Sequence, residues 1–316
     1  EDMKKLYAMT EKKDTLSFKM ELFRNRFINS SISRKFDVIS SHIKEKMKRR
    51  STEKVIVSFT SHPGRISSVH LTVESLLKQK SKPEKILLWL SKEQFPGMEK
   101  DLPKDLLDLT QNSIFEIRWA DDDFAPHKKY LYTVKEYPDH PFIIVDDDVI
   151  YDENLVGKLM DSYRRYPDCI SCMRANLMMF RSDGNPRIYD KWVLDYKVLQ
   201  DIPSYQLLPT GVGGVLYPPH SLPEETFDQE AIKETCLYCD DLWLKIMAVS
   251  NGYRTVVPRE RCEYEQIPGT QETALWRKNV HRNNNDVSLE LILEYFDKNI
   301  GDKMELLGKM RKDRFC

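Results

Sequence analysis

The sequence of 316 residues has no long apolar run and almost no net charge. No stretch reaches the roughly 18 to 20 consecutive apolar residues that a membrane-spanning helix needs, and no charged-then-apolar secretory signal is visible. The 49 Lys and Arg residues nearly balance the 50 Asp and Glu residues, which argues against nucleic acid as a partner. We therefore expect a globular protein of the cytoplasm.

Cysteine is also scarce, since six cysteines in a chain of this length do not suggest a disulfide scaffold and favour a reducing compartment. Four of them form two C-x-x-C pairs, Cys169 with Cys172 and Cys236 with Cys239. Together they could build a structural zinc site. However, 63 residues separate the two pairs, and "DCISCM" is typical of a short buried strand. We favour core packing over zinc.

Charge is unevenly distributed along the chain. Residues 1–54 carry 15 Lys or Arg against 8 Asp or Glu, whereas the remainder carries 34 against 42. Apolar residues recur at helical spacing in this first segment, which predicts a basic amphipathic helical extension over residues 1–53. Its basic face either contacts an anionic membrane surface through residues 1–50, on the inner side of the membrane, or forms the solvated face of helices packed on the body.

From residue 54 the pattern alternates between strands and helices. Apolar, β-branched runs predict strands at 55–60, 85–90, 114–119 and 142–145, and helical periodicity predicts helices at 65–80, 126–137 and 153–166. Such a series builds a mostly parallel, Rossmann-like sheet with helices on both faces, and ligands bind beyond the carboxyl ends of its strands. We predict an α/β domain over residues 54–275 and a C-terminal helical segment over 276–316.

Two aspartate triplets follow predicted strands. In "EIRWADDDFA" polar and apolar residues alternate before residues 121–123, which is typical of a half-exposed edge strand. In "FIIVDDDVIY" the run before residues 146–148 is wholly apolar, which is typical of a strand buried at the centre of a sheet. Crowded carboxylates there repel one another unless a cation neutralises them. We predict that the second triplet faces a ligand, and that the first serves loop solvation or helix capping, with substrate contact as the alternative.

Several segments resemble one known family. "VSFTSHPGRI", "SLLKQKSKPEKILLWL", "FIIVDDDVIYDENLVGKLMDSY" and "DDLWLKIMAVSNGY" are similar to stretches of GT-A glycosyltransferases, particularly the bacterial enzymes that build capsular and other surface polysaccharides. The resemblance covers roughly residues 54–290. It implies a GT-A fold and transfer of a hexosyl or N-acetylhexosaminyl group from a nucleoside diphosphate sugar, with UDP favoured, to a growing glycan that is free or lipid-linked.

In that family an Asp-x-Asp motif binds a divalent cation that bridges the donor's diphosphate. The resemblance implies Asp148 as a direct ligand of Mn²⁺ or Mg²⁺, and Asp146 as a contact of the ribose or of the metal through water. Asp147 is included among the donor-binding residues. Such a cation stabilises the charge of the departing diphosphate. His281 is a candidate third metal ligand, with a surface histidine as the alternative.

The resemblance also implies a general base. Many inverting members show Glu-Asp followed, eleven residues after the Asp, by Gly-Tyr, and Asp241 has this spacing to Gly252-Tyr253 with Asp240 in the Glu position. Asp241 would take the proton of the acceptor hydroxyl. Asp pairs also occur in retaining, exostosin-like enzymes, so retention is the alternative. Either aspartate could instead only cap the helix that begins there.

Further residues are assigned to donor and acceptor. Thr60 and Arg65 flank the loop where the family seats the nucleotide, and Lys128 and Lys129 either offset phosphate charge or are solvated. On the acceptor side, the candidates are two glycines that permit close backbone approach or relieve a turn, and a tryptophan that stacks on sugar or lies in the core, namely Gly213, Gly214 and Trp243 or Trp192.

Two other functions compete with that of a glycosyltransferase. A haloacid-dehalogenase-type phosphatase also ends a strand in Asp-x-Asp, but near the start of its domain and followed by Thr or Val, so "DDDVIY" after a fourth strand fits it poorly. A non-catalytic nucleotide-sugar or glycan-binding module is the other alternative. Mutation of Asp241 without any effect would favour such a module.

Overall fold

A computed structural model of the protein describes residues 54–270 and 284–311. The predicted helical extension over residues 1–53 and the candidate ligand His281 lie outside these residues. In the described part of the chain, no helix is both long and apolar enough to cross a membrane.

A seven-stranded sheet lies at the centre of the described chain, with two small two-stranded sheets beside it. The strands are β1 (Ile56–Thr60), β2 (Lys85–Ser91), β3 (Phe115–Ala120), β4 (Phe142–Ile144), β5 (Val149–Tyr151), β6 (Cys169–Cys172), β7 (Ala175–Leu177), β8 (Leu207–Pro209), β9 (Val215–Tyr217), β10 (Arg254–Val256) and β11 (Tyr264–Gln266). The strand order of the large sheet is β10-β6-β9-β4-β1-β2-β3, and β11 pairs with β5 and β7 with β8 in the small ones.

The large sheet is mostly parallel, as predicted. Strand β1 pairs in parallel with β2 and β4, β2 with β3, and β6 with β10. The predictions for the two triplets are confirmed at this level, because β4 occupies the middle of the sheet and β3 an edge. Strand β9 was not predicted. It runs antiparallel between β4 and β6, so its first residues lie beside the last residues of β4.

Helices cover both faces of the sheet. They are α1 (Val69–Leu77), α2 (Lys104–Asp108), α3 (Lys128–Glu136), α4 (Leu155–Arg165), α5 (Gln229–Thr235), α6 (Asp240–Ser250), α7 (Asn284–Asn299) and α8 (Lys303–Arg311). Alternate residues of β1 enter different cores. Ile56 belongs to the core that includes residues of α3, α6, α7 and α8, and Val57 to the core that includes residues of α1 and α4. The two C-terminal helices thus contribute to the core of the main body.

Helix α1 begins later than predicted, at Val69 rather than near residue 65. The intervening chain forms hydrogen-bonded turns in which the N–H groups of Arg65 and Ile66 donate to the carbonyl of His62. The turns bury the Arg65 side chain, which is 9% exposed, beneath the end of the sheet. The apolar periodicity could not reveal this, because the partner of Arg65 lies about 80 residues away in sequence.

Candidate active site

A cavity of about 900 Å³ opens beyond the carboxyl ends of β1 and β4. Most of the residues assigned to the donor, the metal and the base line it, namely Thr60, Arg65, Lys128, Lys129, Asp146, Asp147, Asp148, Asp240 and Asp241. The cavity brings together the aspartate triplet after β4 and the aspartate pair at the start of α6. It lies where ligands of open α/β sheets bind.

Asp147 is fixed by two donors from the loop after β1. Its Oδ2 accepts the hydroxyl of Ser61 at 2.5 Å, and its Oδ1 accepts Nη1 of Arg65 at 2.6 Å. Its backbone carbonyl accepts the hydroxyl of Thr72 at 3.0 Å. Asp147 is buried, and its carboxylate is already occupied by protein groups. It therefore holds the loop after β1 against the triplet.

Asp148 is buried close to both Asp146 and Arg65. Burial and the nearby charge of Asp146 raise its pKa to about 6, although Arg65, whose Nη2 lies 3.2 Å from Oδ2, opposes the rise. The charged form of Asp148 is therefore only partly compensated by the protein. A further cation at this position would be favourable.

Lys129 links the triplet to the aspartate pair. Its Nζ lies 3.2 Å from Oδ1 of Asp146 and 2.8 Å from Oδ2 of Asp240. Burial disfavours the ammonium, but the charges of Asp240, Asp146 and Asp241 outweigh it and raise the pKa of Lys129 well above its usual value. Lys129 is thus a permanent buried cation between the two acidic groups.

The pKa values of Asp240 and Asp241 are shifted in opposite directions. Burial opposes the ionisation of Asp240, but Lys129 outweighs it, so the pKa of Asp240 is lowered. Burial and the charge of Asp240 raise the pKa of Asp241 well above its usual value. The N–H of Gly211 lies 3.2 and 3.4 Å from the two carboxylate oxygens of Asp241 and orients the group. The environment thus moves the two pKa values apart, so that Asp240 is ionised and Asp241 binds a proton more readily than an ordinary aspartate.

Gly211 lies where no side chain fits. A Cβ at this position would lie 2.7 Å from Oδ1 of Asp146 and 3.1 Å from Nζ of Lys129. The antiparallel β9 explains the position, because its register places Val215 opposite Ile144 and so brings the preceding glycines to the end of β4. Gly211, two residues before the first of the two glycines assigned to the acceptor, therefore allows its backbone to approach protein groups closely.

The other two glycines and Trp243 do not take the predicted acceptor positions. A Cβ at Gly213 would meet Arg174, and one at Gly214, whose φ is +83°, would meet Leu155, so both pack against protein. Trp243 is fully buried and its Nε1–H donates to the carbonyl of Thr226 at 2.9 Å. It faces the core because α6 packs against the sheet on that side. Trp192, the alternative, does line the cavity.

The first triplet is held by the residues around it. Asp123 Oδ1 accepts the N–H of Ala125 at 3.0 Å and the ammonium of Lys128, and its Oδ2 accepts Nε2 of Gln94 at 2.7 Å. Asp121 pairs with Lys92 at the surface. Neither the helical turn at Ala125–His127 nor α3 has a side-chain cap, so Asp123 holds the loop in place rather than capping a helix. Because Asp123 also reaches the cavity wall, contact with a substrate there stays a prediction.

Arg174 and Ser61 were not among the predicted site residues. Arg174 follows β6, which runs in the direction of β4, and its Nη1 donates to the hydroxyl of Thr210 at 2.8 Å at the cavity wall. The sequence signal was available, because "CISCMR" ends a buried strand with a basic residue. Ser61 follows β1 in the same way, but a serine after a strand is too common to indicate a site.

The charge of the cavity wall favours a cation. Among the described residues, seven aspartates but only four Lys or Arg residues line it. No group of three or more His, Cys, Asp or Glu side chains in residues 54–270 and 284–311 is arranged to hold a metal by itself. Mg²⁺ commonly uses one or two carboxylates and completes its coordination with phosphate and water. Asp146 and Asp148 therefore fit a divalent cation that is shared with a diphosphate.

Comparisons with known proteins find similarity among solved structures. No protein-family model and no curated protein sequence matches the chain. Staphylococcus aureus TarS (residues 1–349), solved in complex with UDP, is 12% identical over 82% of this chain and 70% of that one, with a TM-score of 0.43. UDP-glucose pyrophosphorylase complexed with UDP-glucose is 11% identical over 78% and 99%, with a TM-score of 0.40, and the enzyme from Acinetobacter baumannii scores 0.38 at 11% identity over 80% and 96%.

Proposed function

We propose that the protein is a glycosyltransferase that moves a sugar from a nucleoside diphosphate donor, with UDP favoured, to a hydroxyl of a glycan acceptor. One observation carries this proposal. The triplet at the end of the central strand and the aspartate pair at the start of α6 meet in one cavity, and Lys129 joins them. A glycosyl transfer needs two such centres, one for the departing diphosphate and one for the attacking hydroxyl.

The donor's diphosphate lies against the triplet in this proposal. Asp146 and Asp148 would hold Mn²⁺ or Mg²⁺, which supplies a Lewis acid to the departing phosphate oxygens. Arg65 already spans Asp147 and Asp148 and presents a fixed guanidinium at the same edge. Arginine suits phosphate because its planar fork donates two parallel hydrogen bonds. Thr60, also in the cavity wall, lies beside the nucleotide.

The acceptor hydroxyl lies against Asp241. A general base works best when its pKa approaches the pH at which the enzyme operates, and both burial and Asp240 move the pKa of Asp241 upward from that of an ordinary aspartate. Lys129 keeps Asp240 ionised and so maintains this effect. The N–H of Gly211 orients the carboxylate toward the incoming hydroxyl. A base on the acceptor side corresponds to inversion at the anomeric carbon, and retention is the alternative that product stereochemistry decides.

The broader setting is also part of the proposal. The acceptor would be a growing surface polysaccharide, free or lipid-linked, and transfer would occur at the cytoplasmic face of the membrane with residues 1–50 as one contact. Because acidic groups outnumber basic ones in the cavity wall, a diphosphate without a bound cation would be repelled. The proposed donor therefore binds together with a cation.

A thermal-shift panel tests the donor site. The protein is melted with UDP, GDP, CDP and their sugars, each with Mn²⁺, Mg²⁺ or EDTA, together with Asp148→Ala and Asp241→Asn. A ligand at 100 times its dissociation constant stabilises the native state by about 2.7 kcal/mol, so we expect a metal-dependent shift with one nucleotide that Asp148→Ala loses and Asp241→Asn keeps.

The Asp241→Asn variant separates an enzyme from a binding module. We expect it to bind the donor normally and to lose at least about a hundredfold in transfer or donor hydrolysis, because general-base catalysis contributes about that much. Turnover retained at the wild-type level would show that Asp241 is not the base. Donor binding without turnover, in wild type and variant alike, would leave a glycan or nucleotide-sugar binding module as the better explanation. An absence of any shift with millimolar nucleotide would refute the donor site itself.

A further inference from the structure

Exposed apolar side chains are concentrated in one stretch of the chain. Of the eight large apolar side chains exposed in the described residues, five lie between residues 188 and 202, namely Ile188, Val193, Leu194, Val198 and Ile202. Val198 has 73% of its surface exposed. A sixth, Val287, follows Asp286, whose carboxylate accepts the N–H of Tyr189 at 2.7 Å, so it also lies near this stretch. Such clustering on a folded surface indicates an interaction site.

The stretch is attached firmly to the body on its inner side. Trp192 and Leu199 are buried, and the indole N–H of Trp192 donates to the carbonyl of Arg187 at 2.8 Å. Isolated bridges join Val193 to Leu177 and Gln200 to Val257. The segment is therefore anchored by buried residues, and its exposed residues are a mixture of apolar and charged side chains.

Basic side chains surround the apolar ones. Asp195 is met by both Arg261 and Lys197, and Asp201 by both Arg165 and Arg259. Within residues 187–202 three basic residues balance three aspartates, and Arg165, Arg259 and Arg261 add three cations from neighbouring segments. Arg187, Asp190 and Lys191 are all exposed in this stretch. Exposed aliphatic side chains set among Lys and Arg match the interface of an anionic bilayer, which offers acyl chains beneath negatively charged headgroups.

The apolar stretch continues into the mouth of the cavity. Leu194 and Trp192 line the cavity, and so does Tyr238, another of the exposed large apolar residues. A bilayer seated on residues 187–202 would lie beside the opening through which substrates enter. That position suits an enzyme whose acceptor is attached to lipid.

We propose that residues 187–202 form a membrane-contact surface that seats the protein on an anionic bilayer beside the mouth of its cavity. This surface is a different stretch of the chain from residues 1–50, which the sequence predicts as a membrane contact. Its binding to lipid does not depend on the reaction that the cavity performs, so the proposed glycosyl transfer can fail without affecting it.

Cosedimentation of the full chain with vesicles tests the surface. Phosphatidylcholine vesicles with and without phosphatidylglycerol are compared for wild type, Val198→Asp/Ile202→Asp and Val198→Ser/Ile202→Ser. Burial of one aliphatic side chain in an apolar phase is worth about a tenfold change in partitioning, so we expect both variants to bind phosphatidylglycerol vesicles at least about tenfold more weakly. Wild type should bind the anionic vesicles more tightly than the neutral ones.

A matched control adds the same charge elsewhere. Gln111→Asp/Ser113→Asp introduces two carboxylates just before β3, which is one edge strand of the large sheet. The 187–202 stretch lies near the other edge strand, β10, because Gln200 and Ser204 are bridged to Val257 and Thr255. This control should bind vesicles within about twofold of wild type if the effect belongs to the 187–202 surface. Equal loss in the control, or undiminished binding by the 198/202 variants, overturns the proposal.

Sedimentation velocity of the same variants, without lipid, tests whether a second copy of the chain covers this surface instead. A monomer for wild type and variants, with unchanged melting temperatures, agrees with a free surface that meets lipid. A wild-type dimer that the 198/202 variants dissociate would show that a second copy of the chain covers the surface, and the membrane proposal would then be wrong.

Discussion

The two aspartate triplets have the same composition and both follow a strand, yet they lie in different electrostatic surroundings. Asp121–Asp123 follows the edge strand β3, where the side chain of Asp121 is 86% exposed. Asp146–Asp148 follows the central strand β4, where the side chain of Asp148 is only 9% exposed. Water screens the first triplet, whereas the second must be compensated by the protein and its ligands. The position of a strand in the sheet thus determines what an acidic cluster after it can do.

Two adjacent lysines at the start of α3 each contact a different aspartate triplet. Lys128 pairs with Asp123 of the first triplet, and Lys129 with Asp146 of the second. The carboxylate of Asp123 is already occupied by Lys128, the N–H of Ala125 and Gln94. Asp146 instead presents its carboxylate to the cavity, with a third of its side chain exposed. The first triplet is organised for local structure and the second for a ligand.

The largest expected effect comes from removing one carboxylate from each triplet. We expect Asp146→Ala to lower turnover at least about a thousandfold, about 4 kcal/mol of activation free energy, because the departing diphosphate loses part of its charge compensation. Asp122→Ala should stay within about twofold of wild type, since it changes only an exposed side chain. Steady-state assays with the donor from the thermal-shift panel make the measurement. Comparable losses in both variants would contradict the distinction between the triplets.

Replacing either of the two adjacent lysines should give the next largest effect, a loss in the free energy of unfolding. We expect Lys129→Met to lower the free energy of unfolding by about 3 to 5 kcal/mol, because it leaves Asp146 and Asp240 without their shared buried cation. Lys128→Met leaves only Asp123, which keeps its other two donors, so a loss of about 1 to 2 kcal/mol is expected. Urea unfolding at pH 7 measures both. If Lys128→Met were the more damaging change, Lys129 would not be the bridge inferred here.

The residue before the lysines should make stability depend on pH. Nε2 of His127 faces the carbonyl of Cys236 at 2.9 Å and must donate, so Nδ1 accepts the hydroxyl of Tyr130 at 2.8 Å. Burial lowers the pKa of His127 to about 4, so the folded protein binds fewer protons than the unfolded chain. Stability from this group is complete above about pH 6.5 and is lost as the pH falls toward 4, by up to roughly 3 kcal/mol.

Urea unfolding between pH 7 and pH 4 tests the neutral state of His127. The His127→Gln variant should be less stable at pH 7 but lack this part of the acid-induced loss, whereas His220→Gln, which changes an exposed side chain, should follow wild type. If His127→Gln and wild type ran parallel across this range, the pKa of His127 would be the same in the folded and unfolded states, and burial would not hold the imidazole neutral.

The sequence allowed five of the seven strands of the large sheet, β1 to β4 and β6, and the location of the cavity to be predicted, because these depend on local patterns. The apolar run before Asp146 identified the central strand, and alternation before Asp121 identified the edge. The partner of each charged residue was not predictable, since Arg65 meets Asp147 and Lys129 meets Asp240 across long separations in sequence. The antiparallel insertion of β9 was missed for the same reason. It places Gly211 at the site and removes the neighbouring glycines from it.

The start of α3 has a consequence for how the gene can vary. His127, Lys128 and Lys129 are consecutive but serve three different partners, because successive residues of a helix differ in direction by about 100°. Losing or gaining one residue between Asp123 and Lys129 would turn each side chain toward the wrong partner. Surface connections usually tolerate such changes of length. In comparisons with distant homologues, this connection should therefore be aligned without gaps even where its residues differ, and loop exchange should begin elsewhere.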